Sequence, residues 1–187
     1  MSGSAVVDFE AFHVVGGEIV VKELAIVDLH HGLCRYVLFK PPYSRRCLSQ
    51  KDQRTALWLE QKLHGISWSD GVVDYSRFPD IIREVCDTYC TVFTKGLEKA
   101  RFLRAFHNRV IDLNDINAPK YDNTALADDR SLQCRVATHR FTDHEGKCVY
   151  KCALNKAYFF ASWLRTHATE DDAVSTVLTG YIEAVMR

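Results

Sequence analysis

The opening of the chain alternates apolar and polar positions, and most of the remainder repeats its apolar positions at helical spacing. In residues 5–12, Asp8 and Glu10 sit between the apolar Val7, Phe9 and Phe12, which is typical of a strand. Strands are predicted over residues 5–12, 18–29, 35–39, 91–94 and 110–113. Helices are predicted over residues 50–63, 80–88, 97–106, 153–167 and 171–186.

The order of these elements predicts one α/β domain over residues 1–187, with residues 1–4 as a tail and 118–150 as a loop-rich segment. The turn signal Gly16-Gly17 joins the first two strands in an antiparallel hairpin. A later strand-helix-strand unit requires a parallel crossover. The predicted fold is therefore a mixed sheet with three antiparallel strands first, parallel strands afterwards, and helices on its faces.

Composition narrows the class of protein further. Of the 187 residues, 47% are hydrophobic, and 24 Lys and Arg balance 24 Asp and Glu, so only a local basic face could bind nucleic acid. No apolar run reaches the roughly 18 residues of a membrane helix, so no membrane partner is predicted. Seven cysteines without an export signal predict an intracellular, reducing location, in the cytoplasm or the nucleus.

Two carboxylates on the first strand are the first candidate for chemistry. Asp8 and Glu10 are two residues apart, so a strand places both on one face. Divalent metals prefer oxygen ligands gathered in this way, and a metal pair promotes phosphoryl transfer. A solvated strand face carries the same spacing, and the pattern alone leaves both interpretations open.

The order of motifs resembles that of DEDD exonucleases. The Val7-Asp8-Phe9-Glu10 strand is followed by Glu23-Leu24-Ala25, then by a strand and helix ending in Phe102-Leu103, then by Cys152-Ala153-Leu154-Asn155-Lys156 at the head of a helix. The resemblance covers the chain to about residue 165. It implies a ribonuclease-H-like fold and metal-dependent 3′–5′ exonuclease ancestry, with Mg²⁺ or Mn²⁺ as cofactor only if the domain is active.

The chain departs from that family at the remaining acids. Lys99 falls at the third acid and Asn155 or Lys156 at the fourth, with Lys151 near the general base. Asp8 and Glu10 are then the only matched catalytic residues, and the resemblance implies that they are vestigial or weak. A lysine ammonium beside two carboxylates has the electrostatic role of a metal.

Thiols and imidazoles gather late in the chain. Cys134, His139, His144, Cys148 and Cys152 offer ligands that suit tetrahedral Zn²⁺, although buried thiols and a surface histidine would look the same. We predict one structural zinc held by Cys134, His139 and Cys152, with Cys148 or a carboxylate as the fourth ligand. A degenerate acid set combined with such a Cys/His cluster is similar to the Maelstrom domain, which carries a Glu-Cys-His-Cys zinc site. For the Glu ligand of that site, the resemblance suggests only Glu60 in this chain.

Basic and aromatic side chains are candidates for contact with nucleic acid. Lys95, Lys99, Arg101 and Arg104 gather around one predicted helix, where they either grip phosphates or form a solvated face. Trp58 and Trp68 either stack bases or pack in the core.

Three functions follow as rival hypotheses. The favoured one is a nucleic-acid-associated, exonuclease-like domain with little or no nuclease activity, bound to RNA or DNA. The second is an active exonuclease that uses Asp8 and Glu10. The third is a protein-interaction scaffold that binds no nucleic acid.

Overall fold

The computed structural model describes residues 3–14, 17–121 and 152–170, without the side chains of 168–170. Five strands form one sheet in the order β3-β2-β1-β4-β5. Their bounds are β1 Gly3–His13, β2 Ile19–Asp28, β3 Cys34–Leu38, β4 Tyr89–Thr94 and β5 Val110–Asp112. Four helices accompany them: α1 Gln50–Lys62, α2 Phe78–Thr88, α3 Leu97–Arg104 and α4 Ala153–Glu170.

The sheet confirms the predicted mixed α/β fold. β1 pairs antiparallel with β2, and β2 pairs antiparallel with β3. β1 also pairs parallel with β4, aligning Val6 with Phe93, and β4 pairs parallel with β5. This mixed sheet flanked by helices was expected from the order of elements, and it is consistent with the ribonuclease-H-like arrangement that the resemblance implies.

Element boundaries differ from the predictions by a few residues. β1 begins at Gly3 rather than Ala5, because Gly3 pairs with β4 and the Ser4 carbonyl oxygen accepts a hydrogen bond from the Leu29 N–H at 2.9 Å. Gly3 and Ser4 are small and show no alternation of apolar and polar positions, so the sequence carries no strand signal there. α2 begins at Phe78, with Pro79 in its first turn, where a missing N–H costs nothing. The predicted helix over 171–186 lies outside the described residues.

The two faces of the sheet bury different side chains. Val7 and Phe9 of β1 pack in a cluster with residues of α2 and α3. Val6, in contrast, packs on the opposite face in a cluster with Phe160 and other residues of α4. Because side chains alternate along a strand, Asp8 and Glu10 share the face of Val6, toward α4.

A third cluster seats α1 against the far ends of β1 and β2. Ala56 and Leu59 of α1 pack with Phe12, Val20 and the buried Trp68. Ser49 caps the helix by accepting a hydrogen bond from the Asp52 N–H. None of the helices in the described part of the chain combines the length and the apolar character that crossing a membrane requires.

Candidate functional site: an acid pair neutralised by two lysines

The acid pair lies deep under α4. Asp8 is only 1% exposed and Glu10 6%, and across the ladder they face Ala25 and Glu23 of β2. The register shifts directly after Glu10, where a β-bulge interrupts the β1–β2 pairing. Both carboxylates are therefore held on a rigid strand, in surroundings where an unpaired charge would be expensive.

Two lysines from two helices reach these carboxylates. Lys99 of α3 places its Nζ 2.6 Å from Asp8 Oδ1 and 3.9 Å from Glu10 Oε1. Lys156 of α4 donates a hydrogen bond to Glu10 Oε1. We call Asp8, Glu10, Lys99 and Lys156 the acid–lysine cluster. The family resemblance aligns Lys99 with the third acid, and either Asn155 or Lys156 with the fourth.

The electrostatics of the cluster depend on burial and on opposite charge together. Burial raises the pKa of the Asp8 carboxyl, while the Lys99 and Lys156 ammonium groups oppose the rise. Burial alone would lower the pKa of Lys156, but Glu10 and Asp8 outweigh it, so the pKa of Lys156 lies above its ordinary value. Lys156 therefore stays charged throughout the physiological range.

These residues do not fit a two-metal site. The Lys99 ammonium lies at hydrogen-bond distance from Asp8 Oδ1, in the position that a metal ion bound to this carboxylate would have to occupy. Mg²⁺ requires several oxygen ligands in near-octahedral geometry. Among residues 3–14, 17–121 and 152–170, no group of three or more His, Cys, Asp or Glu side chains is arranged to hold a metal ion.

Glu23 joins the cluster to the head of α4 and was missed by the sequence reasoning. Its Oε1 accepts a hydrogen bond from the Cys152 Sγ at 3.2 Å, and its Oε2 accepts one from the Ala153 N–H at 3.0 Å. A carboxylate at the first residue of a helix is favoured by the helix dipole. Glu23 interrupts the apolar run of β2, but its pairing with Glu10 and its contact with α4 depend on packing that the sequence does not reveal.

The predicted zinc ligands fall mostly outside the described residues. Cys134, His139 and Cys148 lie there, and Cys152 is the described member, fully buried beside Glu23. Glu60, the suggested carboxylate, is committed elsewhere: it contacts Arg45 at 3.1 Å and accepts a hydrogen bond from the Trp68 N–H at 2.6 Å. Glu23 is thus the carboxylate that the structure brings to a predicted ligand.

The basic residues of α3 are largely engaged within the protein. Lys95 donates to the Ala118 carbonyl oxygen at 2.6 Å, and Arg104 donates to the Val110 carbonyl oxygen at 3.2 and 3.3 Å. Lys99 is bound to the acid pair. Arg101 is the member of this predicted set that is exposed without a hydrogen bond to another described residue.

The two tryptophans have different environments. Trp68 is 1% exposed and contacts Phe12 and Tyr43, so core packing accounts for it. Trp58 is 56% exposed on α1. Of the two predicted base-stacking side chains, the structure leaves Trp58 accessible.

Comparisons with known proteins add no relative, because no family model, no curated protein and no solved structure matches this chain. The class is therefore defined by the molecule itself. It is a mixed α/β domain with a five-stranded ribonuclease-H-like sheet and an acid–lysine cluster on β1. The relationship to DEDD exonucleases and to the Maelstrom domain stays a prediction from the motifs.

Proposed function

We propose that this protein is a nucleic-acid-associated, exonuclease-like domain without metal-dependent nuclease activity. The observation that carries the proposal is the pairing of Asp8 with Lys99 and of Glu10 with Lys156. The acids that would bind metal are neutralised by ammonium groups belonging to the chain itself.

The physical argument concerns what a metal would have to displace. Each ammonium is bound to a buried carboxylate, and removing one partner of such a pair costs about 3–5 kcal/mol. An entering Mg²⁺ would also leave the lysine charges in a poorly solvated place. Two-metal catalysis needs several free carboxylate oxygens, and Asp8 and Glu10 are already engaged.

A nuclease assay tests this part of the proposal. Purified protein is incubated with labelled single-stranded RNA and DNA in Mg²⁺ and in Mn²⁺, beside Asp8→Ala and the isosteric Asp8→Asn. We expect no difference between wild type and variants. Metal-dependent cleavage that both substitutions abolish would instead establish the active exonuclease that uses Asp8 and Glu10.

Association with nucleic acid is supported by the motif resemblance and by basic side chains that stay exposed, Arg101 among them. Titration of labelled oligonucleotides at several salt concentrations is the measurement. We expect binding that weakens as salt rises, since phosphate contacts release counterions. No binding even at low salt would favour the protein-interaction scaffold.

A structural zinc belongs to the same proposal, held by Cys134, His139 and Cys152 with Cys148 or a carboxylate. The contact between Glu23 and Cys152 supports it, because it brings a carboxylate to a buried thiol at the head of α4. Elemental analysis should find about one zinc per chain. Less than about a tenth of that amount, with Cys134→Ser and Cys152→Ser as stable as wild type, would contradict the site.

We further infer an intracellular location, because reduced thiols suit such a site.

A further inference from the structure

α1 sorts its charges between two faces. Its acids Asp52 and Glu60 are buried, where Asp52 accepts a hydrogen bond from Ser49 and Glu60 pairs with Arg45. The cations Lys51, Arg54 and Lys62 are all exposed. The outer face of α1 is therefore purely cationic, although the chain as a whole is neutral.

Trp58 lies within this cationic face. At 3.6 residues per turn, Lys51, Arg54, Trp58 and Lys62 fall within about 80° of one another, and they extend about 16 Å along the helix. We call these four residues the α1 stripe. In the described part of the chain, no carboxylate pairs with its three cations. A groove of about 510 Å³ adjoins the stripe, lined by Arg45, Gln50, Gln53, Arg54 and Leu57.

We propose that the α1 stripe binds a single-stranded segment of nucleic acid, with phosphates on the three cations and one base stacked on Trp58. Charge complementarity selects an anionic partner. The accessible indole of Trp58 further favours a partner with planar aromatic groups that can stack on it. An acidic protein segment would satisfy the cations but gives the exposed ring no base to stack on. Cationic grooves with aromatic platforms are the usual construction of single-strand binding sites.

This inference rests on the proposed association with nucleic acid and assigns it to a surface. It also moves binding away from α3, where Lys99 and Arg104 contact the protein itself, as does Lys95 just before the helix. The inner face of α1 packs on the cluster around Phe12 and Trp68, whereas the acid–lysine cluster lies under α4. Binding at the stripe thus needs no change in the acid–lysine cluster.

The test measures fluorescence anisotropy of labelled oligouridylate and oligodeoxythymidylate, each long enough to span α1. Trp58→Ala should weaken binding about tenfold or more, as expected for loss of one base stack. Trp58→Phe should keep most of the affinity while removing the quenching of tryptophan fluorescence that accompanies binding. If the role of Trp58 were purely structural, Trp58→Phe would not keep the affinity while losing the fluorescence quenching.

The charge arm replaces the three cations together, as Lys51→Gln/Arg54→Gln/Lys62→Gln. The slope of log affinity against log salt should fall by about 2, at about 0.7 for each lost phosphate contact. The control Lys40→Gln/Arg77→Gln/Arg83→Gln removes the same charge from exposed residues elsewhere, two of which pair with Asp80, and should leave the slope unchanged.

Failure of the two proposals is distinguishable. If the wild-type protein binds neither oligonucleotide at low salt, the proposed function fails, and the stripe fails with it. If it binds but the α1 variants match the wild type or the control, the stripe is wrong and the proposed function stands. Tighter binding of polyglutamate than of either oligonucleotide, lost in the α1 variants, would overturn the proposal in favour of an acidic protein partner.

Discussion

Two lysines, Lys22 fully buried and Lys156 partly buried, are held in opposite ways and show how this molecule treats charge away from solvent. Lys22 of β2 donates hydrogen bonds to the carbonyl oxygens of Phe39, Trp68 and Asp70, at 2.6, 3.0 and 2.5 Å. Lys156 of α4 is bound to the Glu10 carboxylate. The first ammonium is thus solvated by backbone dipoles and the second by a full opposite charge.

The difference appears in proton affinity. Burial lowers the pKa of Lys22 to about 8, with only a partial opposing effect from Asp70 and Glu60. For Lys156 the desolvation is outweighed by Glu10 and Asp8, and its pKa is raised. Carbonyl dipoles can hold an ammonium in place without compensating the cost of its desolvation. A carboxylate does compensate that cost, but the buried carboxylate then needs the ammonium as its own counter-charge.

The largest expected effect comes from reversing the charges, with Lys99→Asp/Lys156→Asp. Four carboxylates would then crowd one buried site, so we expect a loss of stability greater than the roughly 3–5 kcal/mol for removing one partner of a buried pair. Mn²⁺ should restore part of it, because a metal that binds only the folded state stabilises that state.

Thermal unfolding with and without Mn²⁺ is the measurement for this charge reversal. Lys99→Asn/Lys156→Asn, which removes the cations without adding acids, should show little response to Mn²⁺. An equal rise of the wild-type Tm in Mn²⁺ would contradict the view that lysines stand where metal would bind.

Removing one lysine alone should have the next largest effect. Lys156→Met leaves Glu10 buried beside a single distant ammonium, and we expect a loss of about 3–5 kcal/mol in urea unfolding at pH 7. The double variant Glu10→Gln/Lys156→Met should recover part of the stability, and a single-variant loss below about 1 kcal/mol would refute the pairing.

Lys22→Met should cost less, about 1–3 kcal/mol in the free energy of unfolding. It leaves three carbonyl oxygens without the ammonium donor, but it also removes the desolvation of a charge. The exposed Lys40→Met is the control, expected to change stability by about 0.5 kcal/mol or less. A cost as large as that of Lys156→Met would mean that dipoles and carboxylates hold lysine equally well.

The dependence of stability on pH has opposite signs at the two lysines. The unfolded chain holds the Lys22 proton up to about pH 10.5 and the folded chain only to about 8, so stability from Lys22 rises with pH across that window. The folded pKa of Lys156 lies above 10.5, so its contribution is present below that value and is lost as the pH rises through its folded pKa.

Urea unfolding from pH 7 to 11 should therefore show the gap between wild type and Lys22→Met widening from about pH 8. The gap to Lys156→Met should narrow at the alkaline end. If the free energies of unfolding of the two variants changed in parallel with pH, the opposite pH dependence of Lys22 and Lys156 would be wrong.

Much of the fold followed from local patterns. Alternation placed Asp8 and Glu10 on one face of β1, and the strand-helix-strand unit predicted the parallel pairing of β4 with β5, which is confirmed. The positions of Lys99 and Lys156 came from the order of motifs. Each of these inferences needs only the period of an element and the order of elements along the chain.

The contacts between distant side chains could not be predicted in this way. Glu23 and Lys22 are adjacent in β2 and point to opposite faces, yet nothing local indicates that one binds the head of α4 and the other the carbonyl oxygens near Trp68. Likewise, the exposure of Arg101 and the inward contact of Arg104 depend on how α3 docks. Such contacts are set by packing rather than by periodicity.

The acid–lysine cluster also has a consequence for the order of events in folding. Lys99 is 91 residues from Asp8 in the chain, and Lys156 is 146 residues from Glu10. Contacts that close such long loops are slow to form, and we expect these pairs to be absent from the folding transition state. Weakening them should then leave the refolding rate nearly unchanged and accelerate unfolding, which makes the cluster a determinant of how long each molecule stays folded.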